Sequence, residues 1–345
     1  MLTPAPLETL RFGLRTFRGT IEVVDTRLLF DHLAAEGVDL AILRVPPNQA
    51  PAVRALEHYG LTPIHADTLV SYTCGLRDIT PPPPSKNGFV IDAAREDDAD
   101  AISELVDTVF AEYPSHYTAN PLLDLCDVVA GYREWALSHL RGDNRVAWVA
   151  RVDGRVAAIA CSTFDTSRRE CQGVLHGVHP EFSHSGIYTA LIRHTQSYFR
   201  KFGCNRLTIQ TQAWNMPVQR VWTREGFILA EVFETFHVNA LFNSTHDGAG
   251  GTEIIFCSTT PQNVASEVLE TLLRTAADNG LQVLPSNVAT TATVFEPIVA
   301  DMPYSLRLGS YYTKAGRGIA LATGVLRDPG DRLCAIARVT ARLQS

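Results

Sequence analysis

The 345-residue sequence predicts an α/β fold followed by an α+β unit, on three observations. First, an apolar run at Val174, Leu175 and Val178 reaches His179-Pro180. A short polar loop with one glycine, Gly186, leads from there into an amphipathic segment carrying Ile187, Leu191, Ile192, Tyr198 and Phe199. That is strand, tight loop, helix. Second, from Arg206 a short alternating strand, a turn at Trp214-Asn215, a helix and a closing Gly226-Phe227 continue the alternation. Third, the chain beyond Thr290 reads as strands broken by turns at Asp301-Met302-Pro303, Ala315-Gly316-Arg317 and Asp328-Pro329-Gly330-Asp331. With one amphipathic helix over 261–279 ahead of them, these strands make an α+β arrangement.

Taken in order, residues 1–79 predict a helix over 26–36, a turn at Gly37-Val38-Asp39, a strand over 40–45, a helix over 50–59, Gly60-Leu61 and a strand over 69–76. A shift of 166 residues places Gly37 on Gly203, Pro51 on Pro217, Arg54 on Arg220, Gly60 on Gly226 and Leu61 on Phe227, so the segment reads as a partial internal repeat. Four prolines make 80–88 a stiff, extended linker. A domain over 89–243 opens with a strand over 89–92 and a helix over 98–110 whose acidic first turn suits the helix dipole. A hairpin follows, 145–151 and 156–162 joined by Asp153-Gly154. After a glycine-rich linker at 244–251, a domain over 252–345 opens with a strand over 253–258.

At this length two or three domains are expected. With 46% hydrophobic and 19% charged residues the composition is that of a globular chain. A net charge of −7 and a pI near 5.9 argue against a nucleic-acid partner. No apolar stretch approaches the roughly 20 residues of a membrane span, and the N-terminus lacks a signal-peptide pattern. A cytoplasmic protein with no membrane partner is expected. The seven cysteines (Cys74, Cys126, Cys161, Cys171, Cys204, Cys257, Cys334) show no C-x-x-C spacing, so neither a disulfide framework nor a metal site is expected. They read as small buried apolar residues.

The loop ahead of the helix at 187 points backbone N–H groups at the space above the helix N-terminus, where the peptide dipoles favour an anion. The physical reading is a pyrophosphate cradle. The segment 113–136 is rich in polar aromatics, namely Tyr113, His116, Tyr117, Tyr132 and Trp135, with Asn120 among them. It reads either as a half-buried helix packed on the core or as a pocket wall with convergent polar groups.

The order Val178-His179-Pro180, Gly186-Ile187, a helix, a strand, then Asn215 and after ten residues Gly226-Phe227 resembles the GNAT acyltransferase family, over 89 to about 242. The resemblance implies a GNAT fold and transfer of an acetyl or other acyl group from CoA to a small-molecule amine, with no metal. It also implies donor contacts at Val178, Ser183, His184, Ser185, Gly186, Ile187 and Tyr188, with Asn215 on the pantetheine or nucleotide end. The chain departs from the family pattern at Ser183, His184 and Tyr188, which leaves an acyl carrier protein as an alternative donor. Trp222 stands where the family places a tyrosine general acid, and an indole N–H can steady a thiolate but not protonate it. The acceptor is expected at His116, Tyr117 and Asn120, groups suited to an amino sugar. The general base is expected among His176, Glu234 and His237, histidine having the pKa best matched to neutral pH.

Residues 1–79 resemble a truncated GNAT-like lobe of the two-lobe dTDP-fucosamine acetyltransferase type. The C-terminal pattern resembles the second half of hotdog-fold thioesterases and dehydratases, which implies a homodimer. Two alternatives stay open. One is a bifunctional acyl-thioester processing protein with hotdog thioesterase or dehydratase activity; the other is a non-catalytic acyl-CoA-binding protein.

Overall fold

The structure, a computed structural model, describes residues 1–77, 88–120, 122–123, 125–242, 252–257, 270, 274, 283–294, 303–312, 319–330 and 332–343. Its elements begin with β1 (Thr3–Pro4), α1 (Pro6–Phe12), β2 (Thr16–Thr20), α2 (Thr26–Ala35), β3 (Leu40–Val45), α3 (Ala50–Arg54) and β4 (Pro63–Gly75). They continue with β5 (Phe89–Ala93), α4 (Ala99–Phe110), α5 (Leu125–Leu137), β6 (Arg145–Val152), β7 (Arg155–Asp165), β8 (Glu170–Val178), α6 (Ile187–Phe202), β9 (Arg206–Gln212), α7 (Met216–Arg224) and β10 (Ile228–Asn239). The last five are β11 (Thr252–Cys257), β12 (Val283–Val294), β13 (Pro303–Tyr312), β14 (Ile319–Arg327) and β15 (Leu333–Leu343). The expected linkers, apart from Gly88, and the helix over 261–279, apart from the helical Glu270 and Arg274, lie outside the described residues.

The chain divides into two compact units, the first made of Met1–Ala66, His116–Asp124 and Glu234–Ser345, the second of Asp67–Ser115 and Leu125–Phe233. In the first unit β2 runs parallel to β3, and β10 runs antiparallel to β3 with His237 opposite Ile42 and Thr235 opposite Arg44. Side chains alternate between the faces of this sheet. Phe17, Ala41, Leu43, Phe236 and Val238 share one face and join α2 in an apolar core with Leu29, Phe30 and Leu33. The opposite face carries Arg18, Ile42 and His237 in one row and Thr20, Arg44 and Thr235 in the next. The same unit holds an antiparallel sheet of order β11-β13-β14-β15-β12. Its tight turn before β15 is set by Asp328, whose Oδ1 accepts from the N–H groups of Gly330 and Arg332 at 2.9 Å each.

In the second unit the order is β4-β9-β8-β7-β6-β5, with residues 69–75 of β4 on β9. Val149 and Ile159 pack with α4, whereas Trp148, Ala150 and Ala160 pack with Ile187 and Leu191 of α6, so the helices lie on the two faces. Positions offset by 166 residues adopt the same backbone. Gly37 and Gly203 have φ of 59° and 95°, and Gly60 and Gly226 have 72° and 83°, the left-handed region that glycine enters freely. Pro51 and Pro217 each occupy the first turn of a helix. The strand after each of these short helices then completes a sheet of the other unit: β4 joins β9, and β10 joins β3.

Candidate active site

The second unit contains an opened sheet. β8 and β9 pair in parallel only from Glu170 opposite Arg206 to Gly173 opposite Ile209. Beyond that point β8 stays paired with β7 as far as Val178 opposite Ala158, and β9 stays paired with β4 as far as Gln212 opposite Leu69. Each strand therefore presents an edge with unused backbone donors and acceptors, where an extended amide-bearing group could add. Gly173 stands at the apex. A Cβ there would lie 2.7 Å from Ile209 Cγ2 and 3.1 Å from His176 Cε1 and Nε2, so no larger residue fits without displacing one of them.

His176 and Val178 lie on β8 beyond the apex. The Nε2 of His176 is buried with no hydrogen-bond partner. Burial lowers its pKa from 6.5 to about 4, so at neutral pH the ring is uncharged and can offer a lone pair.

β8 delivers the chain to a turn built on itself. The His179 carbonyl accepts from Phe182 N–H at 2.9 Å and the Pro180 carbonyl from Ser183 N–H at 3.0 Å. Ser185 Oγ donates to the Phe182 carbonyl at 2.6 Å. Ser183, His184, Ser185 and Gly186 are all exposed. Gly186 is the N-cap of α6 at φ 84°, and His184 is also left-handed at φ 63°. A histidine in that region stores about 1 kcal/mol or more of strain. The first-turn N–H groups of the 16-residue α6 have no intrahelical acceptors and lie beside this loop, where Ile187 N–H donates to Ser185 Oγ at 3.4 Å. Ser183 does not cap the helix, since the N-cap is Gly186 and carries no side-chain bond.

Tyr188, in the first turn of α6, receives a 2.8 Å hydrogen bond on its hydroxyl oxygen from Trp222 Nε1. An indole nitrogen only donates, so the tyrosyl proton is left to be given elsewhere. Burial raises the Tyr188 pKa, which keeps that proton in place at neutral pH. Its ring meets His176 edge-on, centroids 6.0 Å apart. Asn215 caps the start of α7 by position, and its Nδ2 donates to Thr211 Oγ1 at 3.0 Å. Two hydrogen bonds support this end of the site. Tyr113 donates to Gln212 Oε1, and Tyr72 donates to Gln219 Oε1 at 3.2 Å. Of these four residues the sequence singled out Tyr113 alone, among the polar aromatics; strand periodicity does not point to the other three, because the four are brought together from separate parts of the chain.

The first unit gathers the other predicted residues. His116 Nδ1 lies 2.8 Å from His237 Nε2, although the two are 121 positions apart. Asn120 Oδ1 accepts from Leu122 N–H at 3.1 Å, which fixes the amide so that Nδ2 donates, to Asn239 Oδ1 at 2.8 Å and to His237 Nδ1 at 3.3 Å. His237 must then carry its proton on Nε2 and donate it to His116 Nδ1, leaving the His116 proton on Nε2. Burial lowers both histidine pKa values, His237 to about 4, and the field of Arg44 and Arg18 adds to the depression at His116. Tyr117 stacks 3.9 Å from His116, and its hydroxyl reaches Glu8 Oε1, which is ion-paired with Arg18 at 2.7 Å. Burial pushes the Tyr117 pKa up to about 12. Glu234 lies elsewhere: three residues from His237 it is on the opposite face of β10, paired with His65 at 2.5 Å. Glu234 and His237 cannot serve one reaction centre from opposite faces of one strand.

The sequence of this region is similar to a known enzyme family. Residues 102–227 match the model of the Acetyltransferase (GNAT) family. No curated protein matches the chain. Among solved structures, a GCN5-related N-acetyltransferase from Sphaerobacter thermophilus is similar at 15% identity and a TM-score of 0.41, over 57% of this chain and 59% of that one. The chain thus spans about three fifths of that protein. A GCN5-related N-acetyltransferase from Kribbella flavida is similar at 15% identity and a TM-score of 0.43, over 64% of this chain and 80% of that one. A tandem GNAT protein from the clavulanic acid biosynthesis pathway shares 14% identity at a TM-score of 0.43, over 61% and 68% of the two chains. Among the described residues no group of three or more His, Cys, Asp or Glu could hold a metal ion, and no helix is long and apolar enough to cross a membrane. Cys74, Cys161, Cys171, Cys204 and Cys334 are free and buried.

Proposed function

We propose that the chain is an acyl-CoA-dependent N-acetyltransferase that acts on a primary amine of a small molecule, with an amino sugar, free or nucleotide-linked, as the preferred acceptor. The observation that carries this reading is the opened edge between β8 and β9 leading to an exposed turn at the N-terminus of α6, within the stretch that matches the GNAT family. The fit is chemical as well as topological. An extended amide-bearing arm can bond the free strand edges, and a pyrophosphate can meet the N–H groups of Gly186, Ile187 and Tyr188. Val178, Ser183, His184, Ser185, Asn215 and Trp222 complete the proposed donor contacts.

Within that unit His176 is the proposed base, its uncharged Nε2 taking a proton from the attacking ammonium. Tyr188, its oxygen held by Trp222, is the proposed donor of a proton to the leaving sulfur. For His116, Tyr117 and Asn120 the proposed role is to hold the acceptor; His237 and Glu234, on opposite faces of β10, are alternatives to His176 as the base, and each excludes the other. Residues 1–79 are read as a truncated GNAT-like lobe, and 252–345 as a hotdog-like domain through which a homodimer would form.

The test is calorimetry with acetyl-CoA, longer acyl-CoAs and free CoA, followed by turnover on a panel of amino sugars. Absence of binding by every CoA species would sink the proposal. Gly186→Trp should abolish donor binding, because an indole would fill the space above α6. Tight CoA binding with no turnover of any amine would favour the second reading, a non-catalytic acyl-CoA-binding protein, which Trp222 in place of an acid supports.

A further inference from the structure

Trp214 is nearly half open, at 48% exposure, although tryptophan is highly buried on average in folded chains. The turn that carries it asks for no indole. It is closed by main-chain groups alone: Ala213 N–H donates to the Thr68 carbonyl at 2.7 Å, Asn215 N–H to the Gln212 carbonyl at 2.9 Å and Met216 N–H to the Trp214 carbonyl at 2.8 Å. These bonds fix the backbone two residues beyond the end of β9, next to the edge that β8 leaves unpaired. One side of the indole is walled. The Tyr113 ring lies 5.3 Å away at 52°, so the two rings form a corner and not a stack. Tyr113 is itself held, edge-on to Phe110 at 5.4 Å and through its hydroxyl. That oxygen receives bonds from Thr211 and Asn215, and its own proton goes to Gln212 Oε1. Burial raises the Tyr113 pKa, which keeps the proton in place. The same bond orients the Gln212 amide. With Oε1 taken by Tyr113, the two N–H groups of Nε2 are left to donate, on a residue only 9% exposed.

We infer that this corner holds the ring of the acceptor: an amino sugar in its pyranose form lies with a C–H face on Trp214 and an edge against Tyr113, while Gln212 Nε2 donates to one of its hydroxyl oxygens. An apolar platform beside an oriented amide donor suits a ring that is apolar on one face and hydroxylated at its rim. An open-chain amine offers the indole no face, and a hydrocarbon ring offers the amide no acceptor. The inference rests on the acyltransferase reading with an amino-sugar acceptor, and it gives that acceptor a platform within the second unit.

The full chain is titrated calorimetrically with glucosamine, with cyclohexylamine as a ring without hydroxyls, with benzylamine as a flat aromatic ring and with putrescine as an open chain. Glucosamine should bind about tenfold tighter than each of the other three. Trp214→Ala should weaken glucosamine binding about tenfold, the upper range for an aromatic contact, and Trp214→Phe should restore most of it. Gln212→Leu should weaken glucosamine about fivefold, the worth of one neutral hydrogen bond, and leave cyclohexylamine unchanged; if that variant does not fold, the two Trp214 variants decide. Benzylamine or putrescine binding as tightly as glucosamine, or glucosamine binding that is absent or untouched by Trp214→Ala, overturns the inference. Acetyl-CoA is titrated alongside. Its failure to bind with the Trp214-dependent preference for glucosamine intact would count against the transferase reading only, and the reverse pattern against this site only.

Discussion

Gly173→Ala tests the opened sheet at its apex. Elsewhere in a strand, replacing glycine by alanine removes unfolded-state freedom and stabilises by about 0.4–1 kcal/mol. Here the new Cβ would lie 2.7 Å from Ile209 Cγ2, itself on a residue only 1% exposed, and 3.1 Å from two atoms of the His176 ring. Apolar carbons rest at about 3.5–4.0 Å, so roughly 1 Å of movement is required of β8, β9 or the imidazole. Overpacking of this kind costs about 1–3 kcal/mol, which outweighs the entropic gain. In a unit of this size each kcal/mol corresponds to about 2–4 °C in melting temperature. The expected result is a lower melting temperature in thermal denaturation followed by circular dichroism, with weaker acetyl-CoA binding because His176 and the strand edge have shifted. Ile209→Ala removes the opposing methyl. Alone it should cost about 2–5 kcal/mol, yet in combination with Gly173→Ala the two costs should fall short of their sum by about 1–3 kcal/mol. A single variant melting within about 1 °C of the parent, with additive costs in the pair, would refute the steric account.

Stability should fall in acid. The folded pKa values of His176 and His237 are depressed from 6.5 to about 4, so the unfolded chain binds these protons first. Their effect is absent above about pH 6.5 and grows as pH falls through about 4, costing roughly 3 kcal/mol per histidine; urea midpoints between pH 4 and 7.5 should show this slope, and it should lessen in His176→Gln and His237→Gln. Asn120→Leu strands the Leu122 N–H, Asn239 and His237 Nδ1 together, so a loss of about 2–4 kcal/mol is expected in the same assay; a neutral result would mean the amide chain is not formed. Tyr188→Phe should leave acetyl-CoA affinity within about threefold while lowering turnover by about 10²-fold or more, the usual worth of general acid catalysis. Unchanged turnover would remove Tyr188 as the proton source.

Much of the architecture was legible because it depends on local chemistry. The strand, loop and helix around Gly186, the hairpin at Asp153-Gly154 and the paired glycines 166 residues apart follow from periodicity and from backbone angles that only certain residues adopt readily. The loop's departures were legible too, but not their meaning. Tyr188 in place of a small residue and Trp222 in place of an acid read as two separate defects, whereas they are one hydrogen-bonded pair. His237 and Glu234 read as neighbours on one strand, yet alternation sends them to opposite faces. That consequence could have been drawn from their odd spacing alone.

The sequence by itself determined the order of the elements, the turns that separate them and the residue types at the helix termini, since each is set within a few positions along the chain. Only the tertiary structure decided that β10 completes the sheet of β3 and that β4 completes that of β9. The same is true of the His116–His237 contact, and of Gly173, whose lack of a side chain matters solely because Ile209 approaches it. Pairing partners across 100 or more residues are chosen by which faces bury together, and two-residue periodicity records that a face exists without recording what lies against it.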